Sequence, residues 1–237
     1  MPDNQSLEEL FRAHVTFPSG GAAIADLQKA LPHLEDELER SSAQIAVRLR
    51  ARHALERDKL HPEDKQYEEG ELEHSVNVLL PRVVRGGFIL TLWSTFEVAA
   101  EDLAQYASRE LGKPLDSKRF QHGNIVDNLR KAFTKDLGIL AFPDNDIHDD
   151  LCDLKDFRDA LIHKAGKVTK LPRRLQRDTA SEFAAIGLHC YEDMRHKYVV
   201  PKAEFVRQAL ELVSNYMSNL SDRVYAVVHP TPLTDQS

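Results

Sequence analysis

The stretch ILTLWSTFEVAAEDLAQYA (89–107) sets the fold class. Its apolar residues Ile89, Leu92, Trp93, Phe96, Ala100, Leu103 and Ala107 recur every three or four positions, which stacks them on one face of an α-helix. The stripe is wide, as in a helix packed against other helices. Gly112-Lys-Pro ends it, because glycine accepts a left-handed backbone and proline cannot continue the ladder.

The same spacing returns on both sides. Upstream, Ile24, Leu27 and Leu31 lead to Pro32, which with Glu35, Asp36 and Glu37 reads as the first turn of a new helix running from Leu34 to about Arg57. HPEDKQYEEG (61–70) reads as a charged connector, Glu71–Leu80 as helix, and Pro81 as a restart or kink. Downstream, a shorter helix is predicted around Ile125, Leu129 and Phe133. Another starts after an Asp144 cap and runs through Leu151, Leu154, Arg158 and Leu161 to Gly166. Residues 181–195 read as helix or mixed structure, 198–201 as an extended piece, and Lys202–Val224 as a last helix. Residues 5–14 read as a short helix and 17–21 as a loop.

Composition agrees. Ten glycines and eleven prolines in 237 residues are about 9%, where about 12% is usual. So few breakers favour long helices over a turn-rich β-fold. No glycine-rich phosphate loop, βαβ alternation or G-x-S-x-G appears, against the common nucleotide-binding and hydrolase folds. The fold class is therefore all-α, a helical bundle: residues 1–66 as an N-terminal helical extension, 67–228 as the main helical domain, 229–237 as a flexible tail.

Cys152 and Cys190 make neither a disulfide framework nor a four-ligand zinc set, which suits a reducing compartment. The polar, acidic MPDNQSLEEL is unlike a secretion signal, and no run of about 18 apolar residues is evident. A cytoplasmic protein that neither spans nor binds a membrane is expected. The formal charge of −7 lowers the case for a nucleic-acid partner. The charge is unevenly spread, however. Residues 144–159 hold seven Asp, whereas 164–177 hold Lys164, Lys167, Lys170, Arg173, Arg174 and Arg177 and no acid. A basic track of this kind can follow a phosphate backbone, and a solvated loop offsetting an acidic helix has the same composition.

Arg158 is the odd residue on the apolar stripe of its helix. A guanidinium there must pair, reach solvent or line a cleft. His163 lies five residues on, about 140° round an ideal helix. Together they supply a minimum for cleaving RNA without a metal. Imidazole as a class titrates near neutrality and can take a 2′-hydroxyl proton or protonate the leaving oxygen. Guanidinium can hold the phosphate as charge grows on it. Glu97, beside Phe96, is placed to orient Arg158. A structural pair of Arg158 with Glu97 or an Asp, and a surface His163 at a helix end, fit the same residues.

Arg158-Asp159-Ala-Leu-Ile-His163 resembles the R-x4–6-H motif of the HEPN superfamily, all-helical domains that include many metal-independent endoribonucleases. Asp159 matches the polar residue usual after the Arg, and Arg85–Glu97 resembles the core helix with its aromatic–Glu pair. The resemblance covers residues 67–225. It implies RNA cleavage with His163 as general acid/base, Arg158 on the phosphate, Asp159 orienting, Glu97 assisting and Lys164, Lys167, Lys170, Arg173 and Arg174 binding substrate. It also implies a homodimer, a toxin or antiviral-defence role and a cognate antitoxin. Neither cofactor nor metal is called for. Some domains of the superfamily are inactive interaction and dimerisation modules, which is the alternative. Ala165 stands where one toxin subset carries a tyrosine, so regulation through that residue is not expected. A metal set from His189, Cys190, Glu192 and His196 is disfavoured, since His189 and His196 would lie two turns apart on a helix.

Overall fold

The computed structural model describes residues 20–56, 61–116, 120, 124–139, 145–164, 166–171, 173–192 and 197–230. The expected helix at 5–14, the Asp144 cap, His196 and tail residues 231–237 lie outside them. The fold is mostly helical: α1 Gly21–Glu56, α2 Pro62–His74, α3 Leu80–Leu111, α4 Ile125–Lys131, α5 Asn145–Lys164, α6 Ala180–Ala185 and α7 Ala203–Val228. Among the described residues one antiparallel hairpin interrupts it, β1 Leu188–Glu192 with β2 Lys197–Pro201, in the register Leu188 to Pro201 through Glu192 to Lys197.

Two local expectations are corrected. Pro32 lies inside α1, so Gly21–Glu56 is one helix rather than two. The charged 61–70 stretch is helical, with Pro62 at its start and Glu63 and Asp64 at its positive end. Residues 181–195, read as helix or mixed structure, are mixed where described: α6 ends at Ala185 and β1 covers 188–192. Gly187, at φ 74°, breaks the chain after α6, and its missing Cβ would lie 2.8 Å from the Phe205 nitrogen. Pro81 is accommodated by a π-helical turn over Ser75–Leu79, in which the Leu80 N–H donates to the Ser75 carbonyl. The wider turn just before the ring is a usual way to relieve proline inside a helix.

The chain forms two compact units. The first takes in residues 1–25, 93–152 and 211–237, the second 26–92 and 153–210. In the first, Trp93, Phe96, Leu103, Leu129, Phe133, Tyr216 and Leu220 are buried. Phe96 meets Tyr216 edge to face at 5.7 Å. In the second, Leu38, Phe88, Leu92, Leu154, Phe183, Leu188, Val199 and Val206 are buried, and Phe157 packs on Phe205 at 4.5 Å. The continuous stretch Glu63–Leu111 holds a window long and apolar enough, by length and composition alone, to cross a membrane. It also carries the buried Phe88, Ile89, Leu92 and Trp93. A core helix passes the same test.

Candidate functional site

Helix α5 buries Leu154, Phe157 and Ala160 in the second unit, and this fixes how the neighbouring residues point. Arg158 flanks Phe157 and is half-buried, its side chain 24% exposed. Its Nη1 donates to Asp159 Oδ1 at 2.7 Å, while Lys155 Nζ donates to Oδ2 of the same carboxylate at 2.9 Å. One carboxylate thus serves two cations. Burial alone would raise the Asp159 carboxyl, but the hydrogen bonds from Arg158 and Lys155 outweigh it and hold the group below the usual range. Burial would lower Lys155, and the bonds to Asp159 and Asp156 instead keep it above its ordinary value. Arg158 Nε is buried and has no hydrogen-bond partner among the described residues. A hydrogen bond to a charged group contributes about 1.5–3 kcal/mol, so this unused donor is a notable deficit.

His163 is exposed in the last turn of α5. Glu97 is engaged within its own helix. It accepts from Trp93 Nε1 at 2.7 Å, one turn back on α3 within the first unit. The i, i+4 spacing of Trp93 and Glu97 on α3 allows this bond, a pairing the apolar stripe alone did not single out.

Beyond α5 the chain turns at Gly166, φ 73°, whose N–H donates to the Ala160 carbonyl. A Cβ there would sit 2.8 Å from the Val199 oxygen. Val199 N–H donates to the Gly166 carbonyl and Lys167 bridges to Tyr198, so the start of the basic segment runs along β2. Lys164, Lys170 and Arg173 are exposed and Lys167 is half-buried. Arg174, itself exposed, lies 3.7 Å from the half-buried Asp153. Arg177 donates to the Arg174 and Gln176 carbonyls.

Sequence reasoning missed a cleft of about 770 Å³ in the second unit, lined among others by His74, Asn77, Arg85, His189, Tyr191 and Glu192. Arg85 is held there by Glu35 through Nη2–Oε2 at 2.6 Å and Nε–Oε1 at 2.9 Å. Tyr191 stacks on Tyr198 at 5.3 Å and meets His74 edge-on at 5.4 Å. Arg158 and His163 do not line this cleft. Its sequence signal was the Arg85 charge on an apolar helix, but the π-turn and the hairpin that shape it leave no period to read.

For metal binding, the imagined 189–196 set is placed differently from the expectation. His189, Cys190 and Glu192 stand on β1, where neighbours point to opposite faces. Asp127, His148 and Cys152 in the first unit do converge, each offering one donor atom within 4.8 Å of the others. His148 is 3% exposed. Burial pushes its imidazole below the ordinary value, Arg130 adds to this, and Asp127 opposes it.

Comparison with protein-family models, curated proteins and solved structures gives no match.

Proposed function

We propose that the chain is a HEPN-type, metal-independent endoribonuclease acting as a homodimer. The observation that carries this reading is the state of Arg158. It is half-buried, bonded to the adjacent Asp159 through Nη1, and keeps a buried Nε without a partner, with the exposed His163 on the next turns of the same helix. A phosphate can take over the Arg158 fork because Lys155 already holds the other oxygen of Asp159. His163 then accepts the 2′-hydroxyl proton as the 2′-oxygen attacks phosphorus, and the His163 of a second copy protonates the departing 5′-oxygen. A cyclic phosphate and a 5′-hydroxyl result. Lys164, Lys167, Lys170, Arg173 and Arg174 supply counter-charge along the strand. A cytoplasmic toxin or antiviral effector with a cognate antitoxin is the biological form of the same proposal.

A catalytically silent interaction module is the second reading. What favours it is that Asp159 already neutralises Arg158 and that Glu97 is engaged by Trp93. Cleavage of single-stranded RNA in EDTA by pure protein, beside His163→Ala and Arg158→Ala, separates the two. Loss of cleavage in both variants is expected. Equal activity in all three proteins removes the nuclease reading.

A further inference from the structure

The first unit holds a constellation that RNA cleavage does not use. Asp127 sits in the first turn of α4, and His148 and Cys152 lie one turn apart on α5. The i, i+4 spacing puts the imidazole and the thiol on one helix face, and α4 brings the carboxylate to them. The three donor atoms all lie within 4.8 Å of one another.

Two simpler descriptions fit less well. As an ion pair, His148 Nε2 and Asp127 Oδ1 are 3.6 Å apart, beyond the usual hydrogen-bond length of about 2.7–3.2 Å. That gap falls within the edge of roughly 3.3–3.8 Å that a tetrahedral ion with bonds of about 2.0–2.3 Å sets between its ligands. As a nucleophile–base–acid relay, the thiol and the carboxylate would address different imidazole nitrogens. Here one imidazole nitrogen, the thiol sulfur and a carboxylate oxygen all lie within 4.8 Å of one another, the triangular arrangement of ligands about one centre.

We propose that Asp127, His148 and Cys152 form a three-ligand site for a divalent transition ion of the zinc class, with a fourth position left to water. Thiolate, imidazole and carboxylate together are a borderline-soft donor set with two negative charges. They suit zinc or cobalt, whereas magnesium and calcium take oxygen donors. Access comes from the Asp127 side, since that side chain is 51% exposed while the His148 side chain is 4% exposed. The surroundings also orient the sulfur. The Asn124 side-chain oxygen accepts from the Val126 N–H at 3.1 Å to cap α4, which turns its amide NH2 toward Cys152 Sγ at 4.0 Å. A fixed donor onto a ligand atom is the usual way a metal site holds its geometry. Arg130 acts on His148 against a cation, and the two negative ligands have to outweigh it.

The test is titration of the chelator-stripped full chain with Co²⁺, followed by absorbance and by competition with Zn²⁺. One equivalent per chain is expected, with a thiolate-to-cobalt charge-transfer band that Zn²⁺ displaces. Cys152→Ser abolishes the band, and Asp127→Asn weakens uptake by roughly tenfold or more. Cys190→Ser leaves both unchanged. Cys152 and Asp127 are not fully buried, and circular dichroism confirms that each variant is folded. Failure to take up one equivalent with a thiolate band overturns the site. So does a band that survives Cys152→Ser, or one that disappears in Cys190→Ser. RNA cleavage in EDTA is a separate readout, so the two proposals stand or fall independently.

Discussion

Two arginines of the second unit begin from similar sequence settings and end in opposite states. Arg85 and Arg158 each stand among apolar residues of a helix. Arg85 is satisfied by a partner fifty residues away. Glu35 takes both Nε and Nη2, the Pro201 carbonyl lies 3.4 Å from Nη1, and the two side chains are only 17% and 18% exposed. Arg158 relies on the residue next to it, shares that carboxylate with Lys155, and leaves a buried nitrogen unused. A fully occupied fork is a structural fastening. A half-occupied one whose counter-ion has a second owner can change partner at lower cost, because Asp159 stays compensated when Arg158 turns to a phosphate.

The largest effect expected from this contrast is on stability at the first arginine. Arg85→Ala leaves Glu35 charged, largely buried and unpaired, which costs about 3–5 kcal/mol. Urea unfolding measures it, and the double change Arg85→Met with Glu35→Leu should recover most of the loss. If Arg85→Ala costs less than about 1 kcal/mol, the pair is no fastening and the contrast fails.

The second arginine should show the reverse. Arg158→Lys keeps the charge and the neighbouring Asp159, so its unfolding midpoint should stay close to that of the unaltered chain. RNA cleavage should fall about a hundred- to a thousandfold, because an ammonium cannot replace a planar fork on a phosphate. Single-turnover rates and urea unfolding on the same preparations decide it. A variant that loses stability but retains its rate would make Arg158 structural as well.

The sequence carried the helices because burial follows their period: Leu92, Trp93, Phe96 and Leu103 are all buried as the stripe required. It carried Arg158 as an anomaly for the same reason. It could not say which acid Arg158 meets, since Glu97, Asp156 and Asp159 are equivalent in pattern, and the bond goes to the neighbouring Asp159. Pro32 inside α1 was misread, and the extended piece at 198–201 was legible while its partner strand at 188–192 was left open, because proline and short β-runs are decided by tertiary contacts that local propensity does not contain. The Asp127–His148–Cys152 triangle was half legible. His148 and Cys152 already had helical ligand spacing, but Asp127 enters from α4, and no period links it to them.

The smallest effect tests the shared carboxylate itself. Asp159 titrates below the usual carboxylate range in the folded chain, because the bonds from Arg158 and Lys155 outweigh the burial that would raise it. In the unfolded chain it returns to about 3.9. Between those two values the unfolded state binds more protons, so stability falls as pH falls. The contribution is complete above the unfolded value and is lost as the pH drops from there through the folded value. Asp159→Asn cannot titrate. Its stability deficit relative to the unaltered chain should therefore be constant from about pH 5 to 7 and shrink below about pH 4. Urea unfolding across that range gives the difference directly. A deficit still constant at about pH 3 would mean that Arg158 and Lys155 do not hold the proton off Asp159. The distinction between the occupied fork of Arg85 and the poised one of Arg158 would then lose its electrostatic basis.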